Sequence, residues 1–116
     1  MEPIVLTKAR AFAVRVIKAE KYLKNEKHEH NMSNQLLRSG TAISALIAEA
    51  QYAQSKADFI SKMSIALKEA NESRNWITLL HEGEYINDYA YNSIYDDVNQ
   101  LVMILISIVR SSKDNP

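Results

Sequence analysis

The chain has 116 residues, 14 basic and 14 acidic side chains, no cysteine, two glycines and two prolines. This length fits one domain of about 100 to 150 residues, enough to bury a hydrophobic core. The lack of cysteine excludes disulfides, thiolate catalysis and sulfur-ligated zinc. Because a sheet of many short strands needs frequent turn residues, the composition predicts an all-α protein.

No stretch of the sequence is apolar enough to predict a membrane span. The most apolar run, residues 101–109, has nine residues, whereas a spanning helix needs about 20. The opening residues, MEPIVLTKAR, lack the basic and apolar regions of a secretory signal. We therefore expect a cytoplasmic protein without a membrane partner.

In the first half of the chain, apolar residues recur at steps of three and four, the spacing of one helix face. A first helix is predicted over residues 3–25 and ends in the polar stretch NEKHEHN. A second is predicted over residues 32–53, with Asn31 or Ser33 as its N-cap. Gly40 inside it predicts the close approach of another backbone, because glycine otherwise weakens a helix.

The second half of the chain repeats this pattern. Ser55 is the expected N-cap of a third helix over residues 56–82, and Gly83 fits the left-handed position that often follows a helix. A fourth helix is predicted over residues 88–112. Short connections force neighbouring helices to run antiparallel. The sequence therefore predicts a single domain, residues 1–116, folded as an antiparallel up-down four-helix bundle.

Two features predict that the bundle associates with copies of itself. Apolar residues of the fourth helix span about 200° of its circumference, whereas packing on one core needs little more than 100°. The second helix carries a lane of small residues with a charge at each end, although those charges could equally be solvated. The predicted interface comprises Arg38, Ala42, Ala45, Glu49, Val102 and Ile106.

A basic face on the first helix is the main candidate for a binding site. Five basic residues fall within about 160° of its circumference, opposite the apolar stripe: Lys8, Arg10, Arg15, Lys18 and Lys21. Repeated by symmetry in an oligomer, such a face would attract a phosphate backbone. It could instead keep the helix soluble or pair with the acidic fourth helix.

No pattern predicts catalysis, a metal site or a cofactor. Di-iron bundles use a glutamate three residues before a histidine, and none of the three histidines has one. Glu69 and Glu72 form an isolated carboxylate pair, better interpreted as surface or interface charges. His28 and His30 could hold adventitious zinc or nickel, but a solvated loop is the simpler interpretation. We expect a protein that is not an enzyme.

Two segments, QLLRSGTAISALIAEAQ (35–51) and SKADFISKMSIALKEANES (55–73), resemble a known family. They are similar to the bacterial four-helix bundle proteins encoded in intervening sequences of 23S ribosomal RNA genes. The resemblance covers roughly residues 4–110. The residues that carry it lie on the second and third helices: Gln35, Arg38, Ser39, Ile43, Ala48, Glu49, Asp58, Phe59, Ala66, Leu67, Glu69, Ala70 and Glu72.

The resemblance implies a binding function and no catalysis. The family also includes the accessory variability proteins of diversity-generating retroelements, pentameric barrels that bind a reverse transcriptase and nucleic acid through basic surfaces. A homo-oligomer, a pentamer, is therefore implied, and two hypotheses remain open. The first is nonspecific binding of RNA or DNA through the first helix. The second, favoured by the zero net charge, is a scaffold that binds a partner protein through exposed aromatics such as Tyr85, Tyr89 and Tyr91.

Overall fold

A computed structural model describes residues 2–114 of the chain. It contains four helices: α1 (Ile4–Glu26), α2 (Asn31–Ala50), α3 (Lys56–Glu82) and α4 (Asp88–Asp114). Each helix packs against the next, and α4 packs against α1, which closes the ring. The predicted all-α, antiparallel up-down four-helix bundle is therefore confirmed. Within this range, no helix combines the length and apolarity that crossing a membrane requires.

The core consists of the apolar faces that the four helices turn toward one another. Its large side chains recur every three or four residues along each helix, and each contributes about 1.5–3 kcal/mol on burial. The largest of those that are almost completely buried are Phe12, Leu23, Leu36, Ile43, Ile47, Met63, Ile77, Leu80, Leu101 and Leu105.

At Gly40, α1 packs directly against the backbone of α2. A Cβ atom added to Gly40 would lie 2.8 Å from Cγ2 and 2.9 Å from Cγ1 of Val16. The close approach predicted from this glycine is therefore present, but a side chain rather than a second backbone fills the space. Val16 is completely buried, so it has little room to move away.

The N-terminus of α2 is capped by a residue that the sequence patterns did not indicate. Neither Asn31 nor Ser33 caps it. Instead, the Glu29 carboxylate accepts hydrogen bonds from the backbone N–H groups of Asn31, Met32 and Ser33, at 3.2, 3.1 and 2.8 Å. The Ser33 hydroxyl donates to the Glu29 carbonyl at 2.8 Å. Glu29 is only 7% exposed, and it satisfies three N–H groups that a helix start leaves without partners.

The connection between α2 and α3 begins earlier than predicted. After Ala50, the next three backbone N–H groups bond to carbonyls three residues back, at 3.0 to 3.2 Å. Such bonds tighten and end a helix. Ser55 caps α3 as predicted, its hydroxyl accepting from the Asp58 N–H at 3.0 Å. A hydrogen bond from Lys62 at 2.9 Å lowers the pKa of the Asp58 carboxyl.

The left-handed residue after α3 is Glu84, and the prediction that it is Gly83 is wrong. Gly83 has a φ of −79°, whereas Glu84 has a φ of 68°. The Tyr85 N–H bonds to the Leu80 carbonyl at 2.9 Å, and the Glu84 N–H to the His81 carbonyl at 3.0 Å. These two bonds define a Schellman motif, in which the left-handed residue is the second after the last helical one.

Two serines form a hydrogen bond in the core between α2 and α3. The Ser73 hydroxyl donates to the Ser39 hydroxyl oxygen at 2.8 Å, and both residues are completely buried. The Ser39 hydroxyl donates in turn to the Leu36 carbonyl at 3.4 Å. The two helices are thus joined by a polar contact surrounded by apolar side chains.

We expect Ser39→Ala to lower the free energy of unfolding by about 1–2 kcal/mol, because the Ser73 hydroxyl would stay buried without its acceptor. The double variant Ser39→Ala/Ser73→Ala should recover part of this loss, because neither hydroxyl then remains. Urea unfolding of the wild type, both single variants and the double variant measures the coupling. Strictly additive losses would contradict this account of the pair.

Candidate binding surfaces

The five basic residues of the predicted face lie on the outer side of α1. Lys8, Arg10, Lys18 and Lys21 are exposed, and Arg15 is partly buried. At 100° per residue, Lys8 and Arg15 lie on the side of α1 that faces α4. These five residues are called the α1 basic face below.

Three residues of the α1 basic face contact other polar groups of the chain. The Arg15 guanidinium lies 2.6 Å from the Asp97 carboxylate and donates to the Ser93 carbonyl at 3.3 Å. The Lys8 ammonium donates to the Gln100 side-chain oxygen at 3.0 Å. Arg10 pairs with Glu2. Pairing with the acidic helix, one of the alternatives for this face, is therefore present at one position.

Lys18 and Lys21 differ from the other three in their surroundings. Among residues 2–114, neither side chain has a hydrogen-bond or ion-pair partner, whereas Lys8, which also has no carboxylate within 4.0 Å, bonds to Gln100. Arg15 and Asp97 keep 40% and 39% of their side-chain surface exposed. Ion pairs as exposed as this one contribute about 0–1 kcal/mol, so a competing anion can displace the carboxylate at little cost.

The lane of small residues on α2 also faces outward. Arg38, Ala45 and Glu49 are exposed or half-buried, and Ala42 is partly buried. On α1, the exposed side chains of Val14 (50%) and Ile17 (39%) add apolar surface. Ile17 projects from the side of α1 away from α4, as judged from its position relative to Arg15. The α2 lane, defined as Arg38, Ala42, Ala45 and Glu49, lies on the outer side of α2 toward α3, because Arg38 contacts Glu69 and Glu72.

Arg38 lies in a network of polar side chains between α2 and α3. Its guanidinium is 3.3 Å from the Glu69 carboxylate and also contacts Glu72. Its Nε donates to the Gln35 side-chain oxygen at 3.3 Å, and the Trp76 indole N–H donates to Glu72 at 3.4 Å. The carboxylate pair that looked isolated in the sequence is therefore the partner of Arg38. Sequence reasoning did not find this network because it requires the register between two helices.

The two α4 residues of the predicted interface differ in position. Val102 is 2% exposed and belongs to the core of its own chain, so it offers almost no surface to a second copy. Ile106 is partly buried against the same core. The wide apolar arc of α4 is largely covered by neighbouring helices. Six of its ten residues are buried and the other four are partly buried: Ile94, Val98, Leu101, Val102, Leu105, Val109, Tyr95, Ile104, Ile106 and Ile108.

The three tyrosines that could bind a partner protein, Tyr85, Tyr89 and Tyr91, differ in exposure. Tyr89 is 85% exposed. Tyr91 stacks on the His81 ring with a centroid distance of 4.1 Å, and Tyr85 packs against the core. His81 also lies 2.7 Å from Asp88. Within residues 2–114, no group of three or more histidine, aspartate and glutamate side chains could hold a metal ion.

Comparison with known proteins agrees with the resemblance of the α2 and α3 segments. The model of the family described as 23S rRNA-intervening sequence protein matches residues 1–107. The chain belongs to this family. The match includes Gln35, Arg38, Glu69 and Glu72, so the network around Arg38 lies within the family domain.

A solved protein structure has the same fold as this chain. The chain is 51% identical to a protein of unknown function from the S23 ribosomal protein family of Bacteroides thetaiotaomicron VPI-5482. The alignment covers 91% of this chain and 98% of that chain, with a TM-score of 0.90. No curated protein matches the sequence. The comparisons therefore identify a family and its bundle, without an activity.

Proposed function

We propose that this protein is a non-enzymatic homo-oligomer, a pentamer, that binds RNA or DNA without sequence preference through the α1 basic face. One observation carries the proposal. Five basic side chains share one outward face of α1, and Lys18 and Lys21 among them have no carboxylate partner in residues 2–114. Phosphate contacts made by lysine and arginine supply most of the affinity of nonspecific binding.

The contacts that the α1 basic face makes within the chain still allow it to bind phosphate groups. A phosphate that approaches Arg15 or Arg10 competes with an exposed carboxylate, and such pairs contribute about 0–1 kcal/mol each. Lys8 is held by a neutral amide, which leaves its charge uncompensated. A single α1 basic face would bind weakly. Several faces linked in one oligomer bind more tightly, because each later contact becomes intramolecular.

The α2 lane is the proposed contact between copies. Small side chains at Ala42 and Ala45 allow another helix to approach closely. Ile106 can contribute at the edge, whereas Val102 is buried in the core of its own chain. The Arg38 network gives the lane a fixed charged end.

Charge reversal tests the nucleic-acid proposal. The variant Lys8→Glu/Lys18→Glu/Lys21→Glu should weaken binding of a fluorescein-labelled 30-nucleotide single-stranded RNA at least tenfold at low salt. Its affinity should also vary less with salt, because the slope falls by about 0.7 for each phosphate that is no longer neutralised. Fluorescence anisotropy between 50 and 300 mM NaCl measures both quantities.

A matched control separates this face from net charge alone. Lys56→Glu/Lys68→Glu/Lys113→Glu changes the net charge equally at positions outside α1, and it should keep most of the affinity. Native mass spectrometry of each sample reports the oligomeric state. Equal losses in both variants, or no binding by the wild type at 50 mM NaCl, would refute the proposal.

A protein-binding scaffold is the second candidate, and two observations favour it. Asp97 compensates the charge of Arg15, and Tyr89 exposes 85% of its surface, although tyrosine is on average a partly buried residue. An intact oligomer that binds no nucleic acid at low salt would support this scaffold. A monomer at micromolar concentration would contradict both candidates.

A further inference from the structure

A cleft of about 490 Å³ opens between α1 and the beginning of α4. The polar contacts between these two helices are made by Lys8 and Arg15, in the N-terminal two-thirds of α1. Beyond Arg15, the side chains of α1 line the cleft instead. Its volume falls within the range of about 300–1,000 Å³ typical of small-molecule sites.

The walls of the cleft are aliphatic, and its floor reaches the bundle core. Most of the residues that line it have hydrocarbon side chains: Ala19, Leu23, Leu36, Ile77, Leu80, Ile86, Ala90 and Ile94. Four of them, Leu23, Leu36, Ile77 and Leu80, are at most 1% exposed on the whole. These four form a closed floor, and a ligand in the cleft would meet the partly exposed side chains of Ala19, Ile86 and Ala90 above it.

The polar groups at the cleft are almost all hydrogen-bond donors. They belong to Arg15, Lys18, Tyr22 and Asn87, and no aspartate or glutamate of residues 2–114 lines the cleft. The Asn87 side-chain oxygen already accepts from the Ala90 N–H at 2.8 Å, which leaves its amide N–H groups free to donate. Asp97 occupies only part of the five-donor Arg15 guanidinium. This arrangement complements an anionic head group.

We propose that the cleft binds a small amphipathic anion, a fatty carboxylate of medium chain length. The carboxylate lies between Lys18 and Arg15 at the mouth, and the alkyl chain lies on Ala19, Ile86 and Ile94. A nucleotide base fits the lining less well, because bases stack on aromatic faces and Tyr22 is the one aromatic side chain there. The cleft shares Lys18 and Arg15 with the α1 basic face, but binding of a fatty carboxylate there does not depend on binding of nucleic acid.

Isothermal titration of the full-length, delipidated protein with sodium decanoate, below its micellar concentration, tests this site. We expect saturable binding with one site per chain. Hexanoate should bind at least 100-fold more weakly, because each methylene removed from an apolar contact weakens binding by roughly fourfold. 1-Decanol should also bind more weakly than decanoate, because it lacks the charge.

Two variants locate the ligand. Lys18→Gln should weaken decanoate binding about tenfold, as expected for the loss of a charge-assisted bond, while Lys68→Gln on α3 should leave it unchanged. Ala90→Trp should abolish binding by filling the cleft, with circular dichroism as the check on folding. Because Lys18 is exposed, its variant gives a result even if Ala90→Trp misfolds. The proposal would be overturned by equal affinity in Lys18→Gln and wild type, or by tighter binding of adenosine monophosphate. It would also be overturned if decanoate gave no heat at two temperatures, since burial of an alkyl chain changes the heat capacity.

Discussion

Gly40→Val should lower the free energy of unfolding by about 3 kcal/mol, at the upper end of the range for overpacked cores. The first added carbon alone would lie 2.8 Å from a methyl group of Val16, and Val16 has no exposed surface through which to escape. Either the Val16 side chain must leave its preferred rotamer or α1 must move away from α2. Urea unfolding followed by circular dichroism gives the change.

The identity of the clashing atoms gives a sharper form of the same test. In the wild-type background, Gly40→Ala gains about 1 kcal/mol of helix propensity but loses more through the clash, so it should destabilise. In a Val16→Ala background, both clashing methyl groups are gone and only the Cβ of residue 16, at 3.2 Å, remains close. Gly40→Ala should then stabilise, by at most about 1 kcal/mol. If Gly40→Ala has the same effect in both backgrounds, Val16 is not the residue that requires glycine.

Glu29→Ala should lower the free energy of unfolding by about 2 kcal/mol, at the upper end of measured N-cap losses. The wild-type carboxylate satisfies three backbone N–H groups at the start of α2, and bonds to a charged acceptor are stronger than neutral ones. Glu29→Gln should lose less, because an amide oxygen can still accept.

Hydrogen exchange gives an independent readout for the same residue. The amide protons of Met32 and Ser33 should exchange faster in Glu29→Ala, since their acceptor is removed. The matched control is Glu26→Ala, which removes an exposed carboxylate three residues earlier and should change stability by less than about 0.5 kcal/mol. Equal stabilities for the two variants would mean that the Glu29 carboxylate does not act as the cap.

The sequence was sufficient to predict what depends on periodicity along a single helix. Steps of three and four place Val16, Ile43 and Ile77 on core-facing stripes, and all three are completely buried. Ser55 was recognised as a cap because its side chain is short and sits in a familiar position. The same local patterns give the number and order of the helices, and short connections then leave few alternatives to an up-down bundle.

What the sequence did not predict depends on distances between elements or on the reach of long side chains. Glu29 was missed because a glutamate caps α2 from outside the positions where caps are normally sought. The partners of Arg38 were missed because the spacing of Glu69 and Glu72 says nothing about how α3 is aligned with α2. Val102 was assigned to an interface because a wide apolar arc cannot indicate how much of it the flanking helices cover.

The seam between α1 and α4 joins the two helices that are farthest apart along the chain, and their backbones come close at fewer points than those of the other neighbours do. Contact between α1 and α4 closes the longest stretch of chain between any two neighbouring helices, so it has the largest entropy cost of loop closure. It also adds the least packing. The hairpin of α2 and α3, with its buried serine pair, should be the cooperative unit that persists longest. When the native bundle opens locally, α1 should separate from α4 first. One edge of the core would then be exposed, while the other three helix–helix contacts remain. In this partly open state α2, α3 and α4 would stay packed together, and α1 would move about its connection to α2.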